Sequence, residues 1–245
     1  MLRGSHIEDT MPRKEQKELN KLKKLLDSNR IEVLGHIRDD GARLNYPVVK
    51  CRLPAQSQIM CAKNAPELLI SCWKELNLDP SFYTLLHFKG QHVFFTVFGE
   101  DVFQDDTIDV KMFINVAEQL KHLHSFGLIH GDIKLENVVK DGFGIYRLID
   151  FDMMEMIDDT ACNVQEFLQH RFVKPFGTAG CRGTDALLGL KSFRADFVAF
   201  LAMLDEAEYP MDLQKQLIEY YYTLNPWDVV DWDRIIGFLK SMKPS

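Results

Sequence analysis

Long apolar runs and paired cysteines are both lacking in this sequence, and each absence excludes a class of protein. No segment approaches the roughly 18 consecutive apolar residues of a membrane-spanning helix, and no apolar signal region precedes a small-residue cleavage site. The five cysteines are odd in number and form no C-x-x-C pair. We therefore expect reduced, mostly buried thiols in an intracellular protein that does not associate with membranes.

An excess of positive charge is also lacking. The formal net charge is −7, with 29 Lys and Arg residues against 36 Asp and Glu residues. A field of this sign does not attract nucleic acid, so we expect no direct nucleic-acid binding and a preference for basic partners. The 245 residues, 46% of them hydrophobic and 27% charged, are enough for one large or two small globular lobes.

What is present is an ordered change of pattern along the chain. Residues 1–12 include Gly-Ser-His and are assigned to a disordered tail or an expression remnant. Residues 13–30 place leucines at helical spacing among lysines, which predicts an amphipathic helix. Packing on the body is preferred to partner binding for this helix. Residues 31–100 hold five short apolar runs separated by turn residues, which predict an antiparallel sheet interrupted by a helix at 66–76.

Helical periodicity dominates residues 101–245. An apolar helix from about 110 to 124 is followed by a predicted hairpin that pairs 138–139 with 146–149. Three further helices are expected, at 197–204, 211–224 and 231–242. The predicted fold class is therefore α+β, with a small antiparallel sheet lobe containing one helix and then a shortened, mainly helical lobe.

The most informative segment is HGDIKLEN at 130–137, which is followed by DFD at 150–152. Together the two loops supply two carboxylates, a lysine and an amide: Asp132, Asp150, Lys134 and Asn137. These groups suit a site that holds a nucleoside triphosphate, its magnesium ions and an attacking hydroxyl. A solvated turn would explain either loop alone, but the pair at this spacing favours phosphoryl transfer. Asp132 is the candidate base.

The two loops resemble the protein-kinase motifs H-R-D-x-x-x-x-N and D-F-G, with Gly131 in place of arginine and Asp152 in place of glycine. Over about residues 31–241 the chain resembles the eukaryotic-type protein kinases, and more narrowly the vaccinia-related branch of the casein-kinase-one group. The narrower resemblance is carried by Gly131, by GTAGCRGTDA at 177–186 and by FRAD at 193–196. It implies that Asp196 is buried and ties the 130–137 loop in place.

The resemblance also assigns roles to individual side chains. Asp132 and Lys134 would be catalytic, and Asn137 and Asp150 would bind ATP through Mg²⁺ or Mn²⁺. Lys63, at the end of the IMCAK strand, would pair with the α- and β-phosphates.

Neither the lysine nor its acidic partner is settled by the sequence alone. Lys50 competes with Lys63 and is ranked lower. Glu67 is the candidate partner of the lysine, Glu75 is its alternative, and the absence of any such ion pair stays open.

Three departures from the kinase pattern and one acidic segment bear on function. Residues 35–41 stand where a phosphate loop is expected but lack G-x-G-x-x-G, and the region after Leu204 is short. These features resemble a divergent minimal kinase, for which a viral origin is one interpretation. The missing arginine at Gly131 implies activity without phosphorylation of the activation loop. The acidic segment 152–166 contains no Lys or Arg and suggests basic substrates, although a solvated loop would explain it as well.

Two functions from different classes follow. The preferred one is a Ser/Thr protein kinase that transfers the γ-phosphate of ATP to protein hydroxyls. The alternative is a pseudokinase, a binding or regulatory protein of the same fold with little or no catalysis. A small-molecule kinase ranks third, because the 177–186 segment argues against it.

Overall fold

The computed structural model describes residues 13–37, 47–54, 58–64, 83–88, 91–102, 109–157, 177, 185, 192–226 and 228–241. The predicted helix at 66–76, both candidate glutamates and most of the 177–186 segment lie outside these ranges. The chain divides into two compact units, Met1–Phe98 and Gly99–Ser245.

The first unit contains an antiparallel sheet of five strands in the order β1-β2-β3-β5-β4. The strands are β1 (Glu32–Ile37), β2 (Val48–Arg52), β3 (Ile59–Asn64), β4 (Tyr83–Phe88) and β5 (Gln91–Val97). Val49 of β2 pairs with Ala62 of β3, and both side chains are fully buried. The alternation of the strands therefore directs one face of the sheet into the core of this unit.

Helix α1 (Arg13–Ser28) packs on that same core. Leu19, Leu22 and Leu26 are each no more than 1% exposed, while the lysines between them face outward or are partly covered. Burial of three leucines contributes about 1.5–3 kcal/mol each. The prediction that the helix packs on the body is therefore confirmed.

The second unit begins with β6 (Glu100–Asp101) and α2 (Val110–Ser125). The strands that follow are β7 (Leu128–Ile129), β8 (Val138–Lys140), β9 (Tyr146–Leu148) and β10 (Glu155–Met156). β8 pairs with β9 as the predicted hairpin, and β6 pairs with the other edge of β8. β7 pairs with β10, so the chain entering the 130–137 loop lies beside the chain leaving the 150–152 loop.

Three helices complete the second unit: α3 (Phe193–Glu206), α4 (Met211–Tyr221) and α5 (Trp232–Ser241). Asp109 caps α2 by accepting from the Lys111 N–H, and Ser192 caps α3 by accepting from the Ala195 N–H. Phe113, Phe200 and Trp232 bring α2, α3 and α5 together through edge-to-face contacts.

Gln119 of α2 forms two hydrogen bonds with strand β9 of the hairpin. Its Nε2 donates to the Tyr146 carbonyl at 3.0 Å, and its Oε1 accepts from the Leu148 N–H at 3.0 Å.

The predicted α+β class is confirmed. An N-terminal helix and an antiparallel sheet are followed by a mainly helical region, which is consistent with a kinase-like fold. Among the described helices, none combines the length and apolar character that crossing a bilayer requires.

Candidate active site

The 130–137 loop is held from behind by Asp196 of α3. One carboxylate oxygen of Asp196 accepts from the His130 N–H at 2.7 Å, and the other accepts from the Gly131 N–H at 2.9 Å. Burial alone would raise the pKa of Asp196, but the hydrogen bonds from His124 and the Gly131 N–H hold it below its ordinary value. The expectation that a buried Asp196 ties this loop in place is confirmed.

His130 connects the 130–137 loop to the 150–152 loop. Its Nε2 lies 3.0 Å from the Ile149 carbonyl oxygen, and its Nδ1 lies 3.4 Å from the Asp132 backbone nitrogen. A neutral ring with its hydrogen on Nε2 satisfies both contacts. The ring is fully buried against Phe151, with centroids 4.9 Å apart. Burial lowers the pKa of His130, against the raising influence of Asp196 and Asp150.

Asp132, Lys134 and Asn137 converge within this loop. Asp132 Oδ2 lies 3.2 Å from Lys134 Nζ and accepts from Asn137 Nδ2 at 3.1 Å. The same amide nitrogen donates to the Asp132 carbonyl oxygen at 2.7 Å. The Asp132 side chain is 12% exposed and that of Lys134 is 21% exposed, so both are sheltered but reachable from solvent.

Asp150 adjoins this cluster through the backbone. The Ile149 N–H donates to the Asn137 backbone carbonyl oxygen at 2.9 Å. This bond holds Ile149, the residue before Asp150, beside Asn137. Asp150 is in the left-handed region, at φ 60° and ψ 68°, and a short 3-10 turn over Phe151–Met153 follows it. A left-handed conformation is unfavourable for a non-glycine residue and is found mostly where function or tight packing imposes it.

The donor set suits a magnesium nucleotide. The side-chain amide nitrogen of Asn137 donates to Asp132, so the amide oxygen points away from that carboxylate. Asp150, which follows Ile149 in the chain, is the second candidate ligand. Mg²⁺ is ordinarily held by one or two such oxygens together with substrate phosphates and water. No cluster of three His, Cys, Asp or Glu side chains forms a closed metal site within the described part of the chain. A magnesium ion that is bound jointly by protein oxygens and substrate phosphates does not need such a cluster.

Gly131 permits a close approach between the two loops. Its φ is +82°, and a Cβ at this position would lie 2.5 Å from the Met153 carbonyl oxygen. Gly177, the first residue of the 177–186 segment, also lies against the loop. A Cβ there would be 3.0 Å from the Gly131 carbonyl oxygen and 3.9 Å from Asp132 Oδ1. The other end of that segment is fixed separately, because Asp185 accepts from Ser192 and from Arg194 at 2.8 Å each.

In the first unit, Lys63 and Lys50 lie on the sheet face opposite to the buried core. Lys63 follows the core residue Ala62 along β3, and Lys50 pairs with Cys61. Lys63 is 9% exposed, whereas Lys50 places its ammonium 3.7 Å from the centroid of the Phe98 ring. Burial raises the pKa of the Cys61 thiol to about 12, against the lowering influence of both lysines.

The structure thus brings three of the predicted site residues into side-chain contact in the second unit, Asp132, Lys134 and Asn137. The fourth, Asp150, follows Ile149, whose N–H binds the Asn137 carbonyl. Lys63 is found on β3 of the first unit, as predicted, and Glu67 lies outside the described residues.

Sequence reasoning missed the roles of His124 and Trp232. His124 Nε2 lies 3.2 Å from Asp196 Oδ2, and Trp232 Nε1 donates to His124 Nδ1 at 2.8 Å. The available signal was a histidine on the buried stripe of a helix, which sequence periodicity treats as an ordinary core residue.

Comparison with known proteins finds distant, partial similarity to Ser/Thr protein kinases. The chain is 32% identical over 104 residues to serine/threonine-protein kinase PSK2 of Saccharomyces cerevisiae, which covers 40% of the chain and 9% of that protein. It is 28% identical over 101 residues to AtPK1/AtPK6 of Arabidopsis thaliana, covering 39% of the chain and 22% of the relative. It is 26% identical over 136 residues to human ribosomal protein S6 kinase alpha-6, covering 52% and 18%.

The chain therefore spans less than a quarter of the length of each of these relatives. No protein-family profile matches it. The similarity is distant and partial, and it lends no support to the narrower resemblance to the vaccinia-related branch.

Proposed function

We propose that this protein is a Ser/Thr protein kinase that transfers the γ-phosphate of ATP to a protein hydroxyl. The observation that carries the proposal is the cluster in which Asp132 Oδ2 contacts both Lys134 Nζ and Asn137 Nδ2, at 3.2 and 3.1 Å. This cluster is anchored through the loop backbone to Asp196. A surface turn that merely closed a hairpin would need neither the buried anchor nor the convergent charges.

In the proposed reaction, the oxygen of a Ser or Thr hydroxyl attacks the γ-phosphorus as the bond to the ADP oxygen breaks. Asp132 orients the hydroxyl and accepts its proton, a contribution of roughly 10²–10⁴-fold. Lys134 balances the negative charge that accumulates on the transferred group. Asn137 and Asp150 would hold Mg²⁺ or Mn²⁺, which supplies charge neutralisation on the phosphates when bound.

Lys63 is proposed to bind the α- and β-phosphates, and Glu67 to pair with it. The burial of Lys63 on the non-core face of β3 supports the first assignment. Lys50 is the weaker candidate because its ammonium is directed at the Phe98 ring.

The proposal also includes the division into lobes at 31–100 and 101–245 and the membership of the vaccinia-related branch.

Activity is proposed not to require phosphorylation of the activation loop. A Cβ at Gly131 would lie 2.5 Å from the Met153 carbonyl oxygen, too close for any side chain, so an arginine cannot stand there in this conformation to receive a phosphate. Basic protein substrates are proposed from the acidic character of the chain and of its 152–166 segment.

A pseudokinase is the second candidate, and two observations favour it. Asp152 stands where the kinase D-F-G motif has glycine, and it adds a negative charge two residues after the proposed metal ligand Asp150. Residues 35–41 also lack the G-x-G-x-x-G pattern that lets a loop wrap around phosphates.

The two candidates are separated by phosphate transfer from γ-labelled ATP to a basic protein, with Mg²⁺ or Mn²⁺ present. We expect transfer by the wild-type protein and its loss in Asp132→Asn. Absence of transfer by the wild type, or transfer that survives the substitution, contradicts the kinase proposal. A thermal shift with ATP and Mg²⁺ then shows whether the protein binds nucleotide without catalysis.

A further inference from the structure

Trp232, the first residue of α5, stands at the far end of a hydrogen-bonded series that reaches the 130–137 loop. Its indole Nε1 donates to His124 Nδ1 at 2.8 Å, and His124 Nε2 lies 3.2 Å from Asp196 Oδ2. Asp196 in turn accepts from the backbone N–H groups of His130 and Gly131. Trp232, His124 and Asp196 are 2%, 5% and 1% exposed, so water does not compete for these bonds.

The chemistry of the two outer groups decides the tautomer of His124. An indole N–H can only donate, so His124 Nδ1 must present its lone pair to Trp232. The ionised carboxylate of Asp196 can only accept, so His124 Nε2 must carry the hydrogen. The opposite tautomer would set two N–H groups against each other at one nitrogen and a lone pair against a carboxylate at the other.

Only part of this arrangement depends on packing. The ring of Phe193 also lies against His124, with centroids 4.6 Å apart, and the Trp232 ring lies at 5.4 Å. Phe193 can hold the imidazole in place but has no donor with which to select its tautomer. Asp196 and Trp232 therefore select the same tautomer from opposite sides of the ring, and Trp232 is the one of these three neighbours that holds Nδ1.

We propose that Trp232 is a positioning residue for the 130–137 loop: its N–H holds the His124 ring at Nδ1, and this keeps Nε2–H directed at the Asp196 anchor behind Asp132. The effect on catalysis rests on the proposed kinase function, whereas the effect on the loop does not. Helix α5 is thereby coupled to the candidate active site although it contributes no side chain to it.

The test compares Trp232→Phe with Phe193→Leu, which alters packing on the same imidazole without removing a hydrogen bond. ¹⁵N NMR of the imidazoles should show the Nε2–H tautomer of His124 in all three proteins, because Asp196 requires it, and a shift of the Nδ1 resonance in Trp232→Phe only, because Nδ1 loses its hydrogen bond there. Amide exchange at His130 and Gly131 should become about threefold to tenfold faster in Trp232→Phe, as expected for the loss of one hydrogen bond. The kcat should fall while the KM for ATP stays unchanged.

An unchanged Nδ1 resonance and unchanged amide exchange in Trp232→Phe would overturn the proposal, as would equal changes in Phe193→Leu. If Trp232→Phe does not fold, replacement of Trp232 by 3-benzothienylalanine keeps the ring volume and removes only the N–H, and the same readouts apply. A wild-type protein without transfer activity would contradict the proposed kinase function, and the NMR and exchange measurements would still decide the role of Trp232.

Discussion

Gly131 controls how closely the two loops of the candidate site approach each other. Its φ of +82° and the Met153 carbonyl oxygen, 2.5 Å from where a Cβ would stand, leave no room for a side chain. In this protein the glycine is therefore a steric requirement of the loop packing as well as a departure from the kinase motif.

Gly131→Ala should destabilise the protein by about 1–3 kcal/mol, because it adds left-handed strain and a clash with backbone. The free energy of unfolding in urea measures the effect. Gly142→Ala is the matched control, since a Cβ at Gly142 meets nothing within 4 Å, and its effect should stay within about 0.5 kcal/mol. Equal stabilities of the two variants would show that the close approach to Met153 does not exist in solution.

His130 predicts a pH dependence of stability. Its pKa in the folded protein is lowered by burial below the ordinary value near 6.5. As pH falls below about 6.5, the unfolded chain takes up a proton that the folded protein does not, so the free energy of unfolding decreases. Urea titrations at pH 7.5 and 5.5 should show a smaller loss of stability in His130→Gln than in the wild type. Identical losses would mean that His130 does not resist protonation in the folded state.

At the scale of elements, α1 behaves as part of the first unit's core. Leu22 is 1% exposed and lies among buried residues of the sheet, whereas its neighbour Lys21 is exposed. Leu22→Ala should lower the free energy of unfolding by about 2–5 kcal/mol. Lys21→Ala on the same helix should change it by less than about 0.5 kcal/mol. A similar small effect of both changes would indicate that α1 does not pack on the sheet.

Helices α2, α3 and α5 supply buried side chains that support the 130–137 loop of the candidate site from within the core. α2 supplies His124, α3 supplies Asp196 and α5 supplies Trp232, and all three side chains are buried. A change on the outer face of these helices, such as Lys121→Ala, breaks only an exposed ion pair with Asp233. Exposed pairs of this kind contribute little to stability.

For the whole molecule, patterns that are local in sequence could be predicted. Leucine spacing gave α1, alternating apolar runs gave the five strands, and the turn at Asp141 gave the β8–β9 hairpin. The cluster of Asp132, Lys134 and Asn137 could be predicted for the same reason, because a few residues of one loop determine it.

Apart from the Asp196 anchor, which the family resemblance implied, contacts between distant parts of the chain could not be predicted. The Trp232–His124 bond joins two helices far apart in sequence, and their docking depends on packing that no short pattern encodes. The Met153 carbonyl is a backbone group, so its approach to Gly131 leaves no trace in the side chains of that segment. The left-handed conformation of Asp150 is likewise imposed by its surroundings rather than by residue preference.

The central claim, that Asp132 and its neighbours catalyse phosphate transfer, is tested most directly by one initial-rate measurement. Transfer from γ-labelled ATP to a basic protein is compared among the wild type, Asp132→Asn and Asp233→Asn. The last substitution makes the same chemical change at an exposed aspartate on α5. We predict a loss of about 10²–10⁴-fold in Asp132→Asn and a wild-type rate in Asp233→Asn. Equal rates in all three proteins, or no transfer by any of them, would contradict the claim.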